Sequence, residues 1–259
     1  MVYFTLPLDS SMDYFPDNTI AKYRVKLPRE YEFDGDYECG LIQLLYPVTW
    51  HTLSSPDMLN IRVVVVSRET SKWIHKPPAP PLKPGYYRDI GYLLWSINQR
   101  LATFDVEGTC SLDLDDVTQK VKFVYSGTLD VRVKLHGYVR EMLGFDRPTS
   151  KWLRPGDKAV RAVDLRNGFH NIYVYSDLIQ PTHVTGHTLQ PLLRSVPVQG
   201  NYTDMVLVQP MHIQYFPLRA KRVQTVEVLL ATDLGTPVPF ESGKSQITVH
   251  IRRARPLDL

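Results

Sequence analysis

Cysteine is nearly missing: 259 residues hold only Cys39 and Cys110. So sparse a set cannot form the disulfide framework of a small secreted domain, and it suggests reduced thiols in an intracellular setting. Glycine is also scarce, with 14 residues, and no Gly-rich loop precedes a helical pattern, which removes phosphate-cradling motifs. There is no Gly-x-Ser-x-Gly elbow and no Cys in a nucleophile context, which argues against nucleophilic catalysis. Long hydrophobic runs are lacking too. Nothing approaches the roughly 18 uninterrupted apolar residues of a membrane-spanning helix, so no membrane association is expected. The N-terminal MVYFTLPLDSSMDYF has neither a basic region nor an extended apolar one, so no signal peptide is expected. Charge of one sign is not in excess either. Thirty Lys and Arg against 27 Asp and Glu leave +3, too little to mark a nucleic-acid binder by composition.

What is abundant is proline, with 20 residues, and tyrosine, with 15; proline runs above its average of about 5%. Hydrophobic residues make up 43% and charged residues 22%, as in an ordinary globular protein. Proline combined with Tyr and Val suggests many short strands joined by stiff loops. Period-two alternation supports this. In AKYRVKL, Ala21, Tyr23, Val25 and Leu27 share one face and Lys22, Arg24 and Lys26 the other. LDVRVKL (129–135) and ITVHIRR (247–253) alternate in the same way, as strands with one face on a core and one in water.

Three runs are apolar on both faces: CGLIQLLY (39–46), IRVVVVS (61–67) and NIYVYSDLI (171–179). They read as central strands, or as strands covered on their outer face by a neighbour. Further strands are expected at 118–125, 158–164, 192–198, 206–215 and 223–231. KFVYSGTLDV would join two alternating runs in a hairpin through Ser126-Gly127-Thr128. Helical spacing appears only in YYRDIGYLLWSINQRLA, with Ile90, Leu93, Leu94, Ile97 and Leu101 on one face and Asp89 placed as N-cap, and in GYVREMLGF, stopped by Gly144.

About ten mostly antiparallel strands argue for a β-sandwich or barrel, and long connections such as 68–110 favour Greek-key or jelly-roll topology. A linker at the Pro-rich stretch 77–84 would split the chain in two, but composition does not shift across it.

His183 and His187 stand four apart in IYVYSDLIQPTHVTGH (172–187). On a helix that spacing offers two imidazoles to zinc. Val184-Thr185-Gly186 between them and Pro181 upstream oppose a helix, and no Glu follows His183 as a general base. The His-x-His pair of a cupin-type site is missing as well. The segment reads instead as a strand entering a loop. Its Pro181, His183, Val184, His187, Leu189, Leu192 and Leu193 are candidates for contact with another subunit. Pro181, Pro191 and Pro197 stiffen the loop, so docking would cost it less entropy. No metal, cofactor or catalytic residue is expected. The acidic run LDLDD (112–116) lacks the Gly and distal Glu of a calcium loop and reads as a solvated strand edge or turn.

Basic clusters occur at RAKR (219–222) and RRAR (252–255). Arg252, Arg253 and Arg255 are the candidate polyanion contact, with packaged DNA as the possible partner. No aromatics interleave with them, so surface solubility is the competing account. A second function class is a lectin-like jelly-roll module that recognises glycans or a cell-surface receptor. Its aromatics would be Trp50-His51 or Trp73-Ile74-His75.

Four blocks of the chain carry a resemblance: FTLPLDSSMDYFPDNTIAKYRVKLPREYEFDGDYECGLIQLLYPVTW, KPGYYRDIGYLLWSINQRL, NIYVYSDLIQPTHVTGHTLQPLLRSVPV and GTPVPFESGKSQITVHIRR. In this order they resemble the penton, or minor capsid, protein of Polinton (Maverick) elements and adintoviruses. The resemblance implies an all-β protein, a single jelly-roll β-sandwich over 1–259 with one or two short helices in inter-strand loops and 68–110 as a Pro-rich, helical insertion. It implies a structural virion protein rather than an enzyme, made in the host cytoplasm or nucleus. Homopentamers would sit at the vertices of an icosahedral capsid beside a double jelly-roll major capsid protein. One departure is that the family loop after the YVYSDLI strand often reads Val-Gly-Asp, where this chain has Val184-Thr185-Gly186-His187. Any contact made by that acid is therefore in doubt here.

Overall fold

The computed structural model describes residues 2–8, 14–54, 60–66, 72–77, 80–145, 152–166 and 169–254. The first strands are β1 (Val2–Pro7), β2 (Lys22–Glu32), β3 (Tyr37–Pro47), β4 (Arg62–Val66) and β5 (Trp73–His75). Helix α1 (Ile90–Leu101), strands β6 (Cys110–Asp115), β7 (Lys120–Tyr125) and β8 (Asp130–Lys134), and helix α2 (Gly137–Met142) follow. Then come β9 (Asn171–Ser176), β10 (His183–Thr185), β11 (Thr188–Gln190) and β12 (Leu192–Pro197). The last strands are β13 (Met205–Val208), β14 (Phe216–Pro217), β15 (Arg222–Ala231) and β16 (Gln246–Arg253). These elements fall into two compact units, Met1–Trp50 with Phe169–Leu259, and His51–Gly168.

The first unit is a jelly roll. Its two four-strand paths run β1-β16-β3-β13 and β12-β9-β15-β2. Counted along this unit's chain, first pairs with eighth (β1, β16), second with seventh (β2, β15), third with sixth (β3, β13) and fourth with fifth (β9, β12). That nesting is what an antiparallel ribbon gives when it is wound into two sheets. Alternating residues from both sheets meet in one core. Phe4, Leu6, Leu44, Ile247 and Val249 come from one sheet, and Tyr23, Val25, Val174, Val226 and Leu230 from the other. Tyr23 is buried, and its hydroxyl donates to the Leu6 carbonyl at 3.1 Å, tying β2 to β1. Pro28 interrupts the β2 ladder, where the register jumps between Val223↔Tyr31 and Thr225↔Lys26. The interruption is tolerable because β2 lies at a sheet edge.

The run 39–46 owes its two-sided apolarity to a β-bulge. The register against β16 passes from Thr248↔Gln43 to Val249↔Leu41, leaving Ile42 as the extra residue. Side chains change phase there, so Cys39, Leu41, Leu44 and Tyr46 all point inward and all are buried. The outer face of β3 is covered from within the unit. The segment 213–215 crosses Gly40 so closely that a Cβ would collide with the Gln214 carbonyl and the Ile213 side chain. Accordingly the strand expected over 206–215 stops at Val208, and the following residues form that cover.

The second unit, His51–Gly168, lies in sequence between the third and fourth jelly-roll strands and has its own core. The stretch 68–110 falls inside it, but its bounds are wider because β4 and β6 to β8 belong to the same core as α1. Their alternation matches that of the jelly-roll strands, so no change of pattern marks the boundary. Asp89 caps α1, accepting from the Tyr92 amide at 2.8 Å, and Leu93, Leu94, Ile97 and Leu101 are buried. Asn98 fastens the helix to β6, its amide donating to the Leu112 carbonyl at 3.1 Å and its oxygen accepting from the Leu112 amide at 2.8 Å. After α2 the chain takes a positive φ of 81° at Gly144, where a Cβ would strike the Arg161 carbonyl.

The hairpin expected through Ser126-Gly127-Thr128 does not form. Strand β7 pairs with β6, and β8 pairs with β4. Ser126 extends the first ladder instead. Its amide donates to Thr109 O at 3.1 Å and its hydroxyl accepts from Thr109 N at 2.9 Å. The hairpin that does form is β6–β7, and its turn contains part of the acidic run. Asp115 accepts from the amides of Val117 and Thr118, each at 3.0 Å. No strand forms over 158–164; Ala159 only donates to Val121 O at 2.7 Å beside the isolated bridge Lys122↔Lys158.

Candidate assembly surfaces

The segment after β9 first anchors itself in the jelly roll and then leaves it. Leu178 and Ile179 are buried in the core. Gln180 donates from its backbone to Pro217 O at 2.9 Å and from its side chain to Leu218 O at 3.2 Å. Beyond this clamp the chain forms the two-stranded hairpin β10–β11, which pairs with no other strand among the described residues. Thr185 faces Thr188 across a two-residue turn, and Gly186 opens the turn with φ 58°, the position at which a II′ turn demands positive φ.

Of the candidate contact residues, Pro181, His183, Val184, His187 and Leu189 are all exposed on this hairpin or its approach. Val184 and Leu189 lie directly opposite one another and are 67% and 58% exposed. Leu192 and Leu193 are different. They begin β12 and are 6% and 1% exposed, so the subunit's own interior takes them up and they offer no outward surface. The loop thus divides at Pro191, apolar outside on one side and apolar inside on the other. The sequence shows the leucines, but only the pairing of β12 with β9 shows which way they turn. His183 sits opposite Gln190 and His187 occupies the turn, so the spacing of four does not bring them onto a common helical face. Among the described residues no group of three or more His, Cys, Asp or Glu could hold a metal ion.

The basic C-terminal cluster also divides. Arg252 donates from Nε to the Glu38 carboxylate at 2.6 Å, and its guanidinium lies 3.6 Å from the centre of the Tyr215 ring. Paired and stacked in this way, it has little charge left for a polyanion. Arg253 is exposed and makes one long hydrogen bond, 3.4 Å, to Asp34 O, while Arg255 lies outside the described residues. In the other cluster Arg222 pairs with Glu32 at 3.0 Å.

Buried beside Arg252 is a group that the sequence reading did not single out. His250 stacks on Tyr3 with ring centres 4.7 Å apart, and its Nδ1 is 2.7 Å from the Tyr215 hydroxyl. Among the described residues its Nε2 has no hydrogen-bond partner. Burial, assisted by the Arg252 charge, holds this imidazole below its ordinary pKa. The two cysteines are enclosed and inert: burial pushes the Cys39 thiol up to about 12 and Cys110 up to about 11. Among the described residues no helix is long and apolar enough to cross a membrane.

The aromatics expected of a glycan-binding module are arranged unequally. Trp50 packs edge-on against Phe169, with ring centres 5.1 Å apart, and against Phe240 at 5.9 Å. In the other unit Trp73 meets Trp152 at 5.2 Å, and the Arg132 guanidinium lies 5.0 Å from its ring.

No protein-family model matches the chain, and no curated protein matches it significantly. Among solved structures it is similar to the crystal structure of the SeMet-labeled mavirus penton protein, with a TM-score of 0.56 and 9% sequence identity. The match covers 98% of this chain and 99% of that one, so the two share a fold along their whole length.

Proposed function

We propose that this chain is a structural capsid subunit that forms homopentamers at the vertices of an icosahedral virion, and that it carries no catalytic activity. The single observation behind this is the nested eight-strand jelly roll with a folded insertion between its third and fourth strands. Its fold follows that of the mavirus penton protein from end to end. A ring of copies needs a heterologous contact, one patch fitting a different patch on the next copy. The hairpin β10–β11 supplies one side. An isolated two-stranded hairpin is marginal in water, and the Val184–Leu189 pair would gain by burial against a neighbour. The exposed Met205 and Leu207 on the edge strand β13 offer a further apolar patch. The vertex neighbour would be a double jelly-roll major capsid protein, and any contact with packaged DNA would run through Arg253 and the residues after it.

Solution mass followed by negative-stain imaging tests the reading. A mass of five chains and five-fold rings are expected. A monomer at all concentrations and salt levels, with no binding to a major capsid protein, would overturn it.

A second reading, glycan recognition, rests on a separate observation. Tyr92 and Trp95 of α1 are 51% and 56% exposed on a helix whose other face is core. A vertex subunit can also carry a receptor site, so the two readings are compatible.

A further inference from the structure

The solvent face of α1 has an unusual composition. Residues 92, 95, 96 and 99 form one stripe, spaced three and four apart, opposite the buried Leu93, Leu94, Ile97 and Leu101. An outward stripe on a helix is normally charged, yet this one carries Tyr92 and Trp95. Their rings stack at 5.7 Å with planes 19° apart. Beside them lies a cleft of about 510 Å³ whose other wall is the strap 82–87.

The strap is held in place before any ligand arrives. Leu53 and Gly85 exchange two backbone hydrogen bonds, 3.2 and 2.9 Å. Tyr87 is fixed at both ends: its N–H donates to Thr52 Oγ1 at 3.0 Å and its hydroxyl donates to Lys83 O at 2.7 Å. A preformed cleft loses little entropy on binding. The polar side chains that line it are Lys83, Ser96, Gln99 and Arg100, with Tyr86, Tyr87 and Tyr92, and no carboxylate is among the lining residues. Among the described residues the Arg100 guanidinium, the Lys83 ammonium and the Gln99 amide have no hydrogen bond or ion pair.

We propose that this cleft binds a carboxylate-bearing sugar at the end of a glycan. The apolar C–H face of the pyranose would lie on the Trp95–Tyr92 platform. Arg100, a planar donor suited to carboxylates, would pair with the acid, and Gln99 would serve the ring hydroxyls as donor and acceptor. Polar groups converging on an apolar platform are the pattern of a small-ligand site. The absence of acidic lining residues selects an anionic sugar over a neutral one. The proposal deepens the glycan-binding reading and rests on it, but it is independent of the vertex reading.

The test is titration of the full chain with sialyllactose and, separately, with lactose, followed by saturation-transfer NMR and calorimetry. Sialyllactose is expected to bind saturably, and lactose at least about tenfold more weakly, the loss of one charge-assisted hydrogen-bond pair. Arg100→Gln should bring sialyllactose down to the lactose level, and Trp95→Ala should abolish both. Val117→Ser, outside the cleft, should change neither. Residues 95 and 100 are not core side chains, so circular dichroism and solution mass should stay as in the parent. Equal binding of the two sugars, binding that survives both substitutions, or no binding of sialyllactose would each overturn the proposal. So would a proline-rich peptide that competes for Trp95 while sialyllactose does not. A failed pentamer with intact sialyllactose binding would overturn only the vertex reading.

Discussion

Tyr23 and Tyr46 of the jelly roll are buried at 1% and 0% exposure, whereas Tyr92 and Trp95 of the insertion stand more than half exposed. These two pairs of large aromatic side chains serve opposite purposes. In the jelly roll they join strands across the sandwich: Tyr23 reaches Leu6 O, and the Tyr46 hydroxyl accepts from the Gln199 amide at 3.0 Å. What the jelly roll leaves exposed on its hairpin and on β13 is aliphatic, Val184, Leu189, Met205 and Leu207. An exposed apolar patch gains by burial against a partner, while an aromatic platform beside uncommitted polar groups suits a small ligand. The two proposals follow this difference, assembly through the jelly roll and ligand recognition through the insertion.

The most severe way to break that comparison is to empty one core and watch the other. Phe123 is fully buried in the insertion and Leu44 in the jelly roll. Truncating a buried Phe to Ala costs about 3–5 kcal/mol, and a buried Leu about 2–5 kcal/mol. Calorimetry of Phe123→Ala should show a transition shifted down with a second one unmoved, and Leu44→Ala should shift that second transition. If each substitution lowers a single shared transition equally, the two cores do not act as separate units.

Individual elements were legible in the sequence: Ala21 to Leu27 and Ile247 to Arg253 alternate cleanly, and α1 advertises its cap at Asp89. Three things were not. The bulge at Ile42 made Leu41 and Leu44 look as if they lay on opposite faces, although both point inward. Apolarity on two faces therefore does not by itself signal a subunit interface here. The Ser126-Gly127-Thr128 segment has hairpin chemistry, but its partner is Thr109, far away in sequence. In the contact loop, Leu192 and Leu193 have the same composition as Leu189 and the opposite orientation, a distinction that comes only from strand pairing. The exposed pair on α1 carries a visible signal, Tyr92 and Trp95 on the stripe opposite the leucines.

Assembly and folding should come apart at the hairpin. Val184→Asp combined with Leu189→Asp places two charges on a surface that is already exposed, so stability should change by no more than about 0.5 kcal/mol. Self-association should weaken by at least about tenfold, since truncating a central apolar contact costs on the order of 1–2 kcal/mol. Sedimentation across a concentration series measures the effect. Unchanged association would remove the hairpin from the contact.

A smaller effect is expected at Gly144. Alanine there must hold φ 81° with its Cβ against the Arg161 carbonyl, and a substitution incompatible with the native φ costs more than about 1 kcal/mol. The insertion's transition should fall and the jelly roll's should not, which sharpens the division drawn by the core variants.

The weakest effect separates the units by pH. His250 has a folded pKa below its ordinary 6.5 because the ring is buried beside Arg252. Above 6.5 neither folded nor unfolded chain protonates it. As pH falls below 6.5 the unfolded chain takes up a proton that the folded chain refuses, so stability declines until the folded pKa is reached, by at most about 1.4 kcal/mol per pH unit. The insertion's cap responds in a lower window. Asp89 is held below the usual 3.8 by the Tyr92 amide and Arg88; its contribution is complete above 3.8 and fades only as pH drops through the depressed folded value. Between pH 6.5 and 5 the jelly-roll transition should therefore shift down while the contribution of the Asp89 cap stays constant, and His250→Phe should flatten part of the jelly-roll slope. Melting curves at fixed ionic strength measure both. An unaltered slope in His250→Phe would mean that the buried imidazole is not the group that makes the jelly roll sensitive to mild acid.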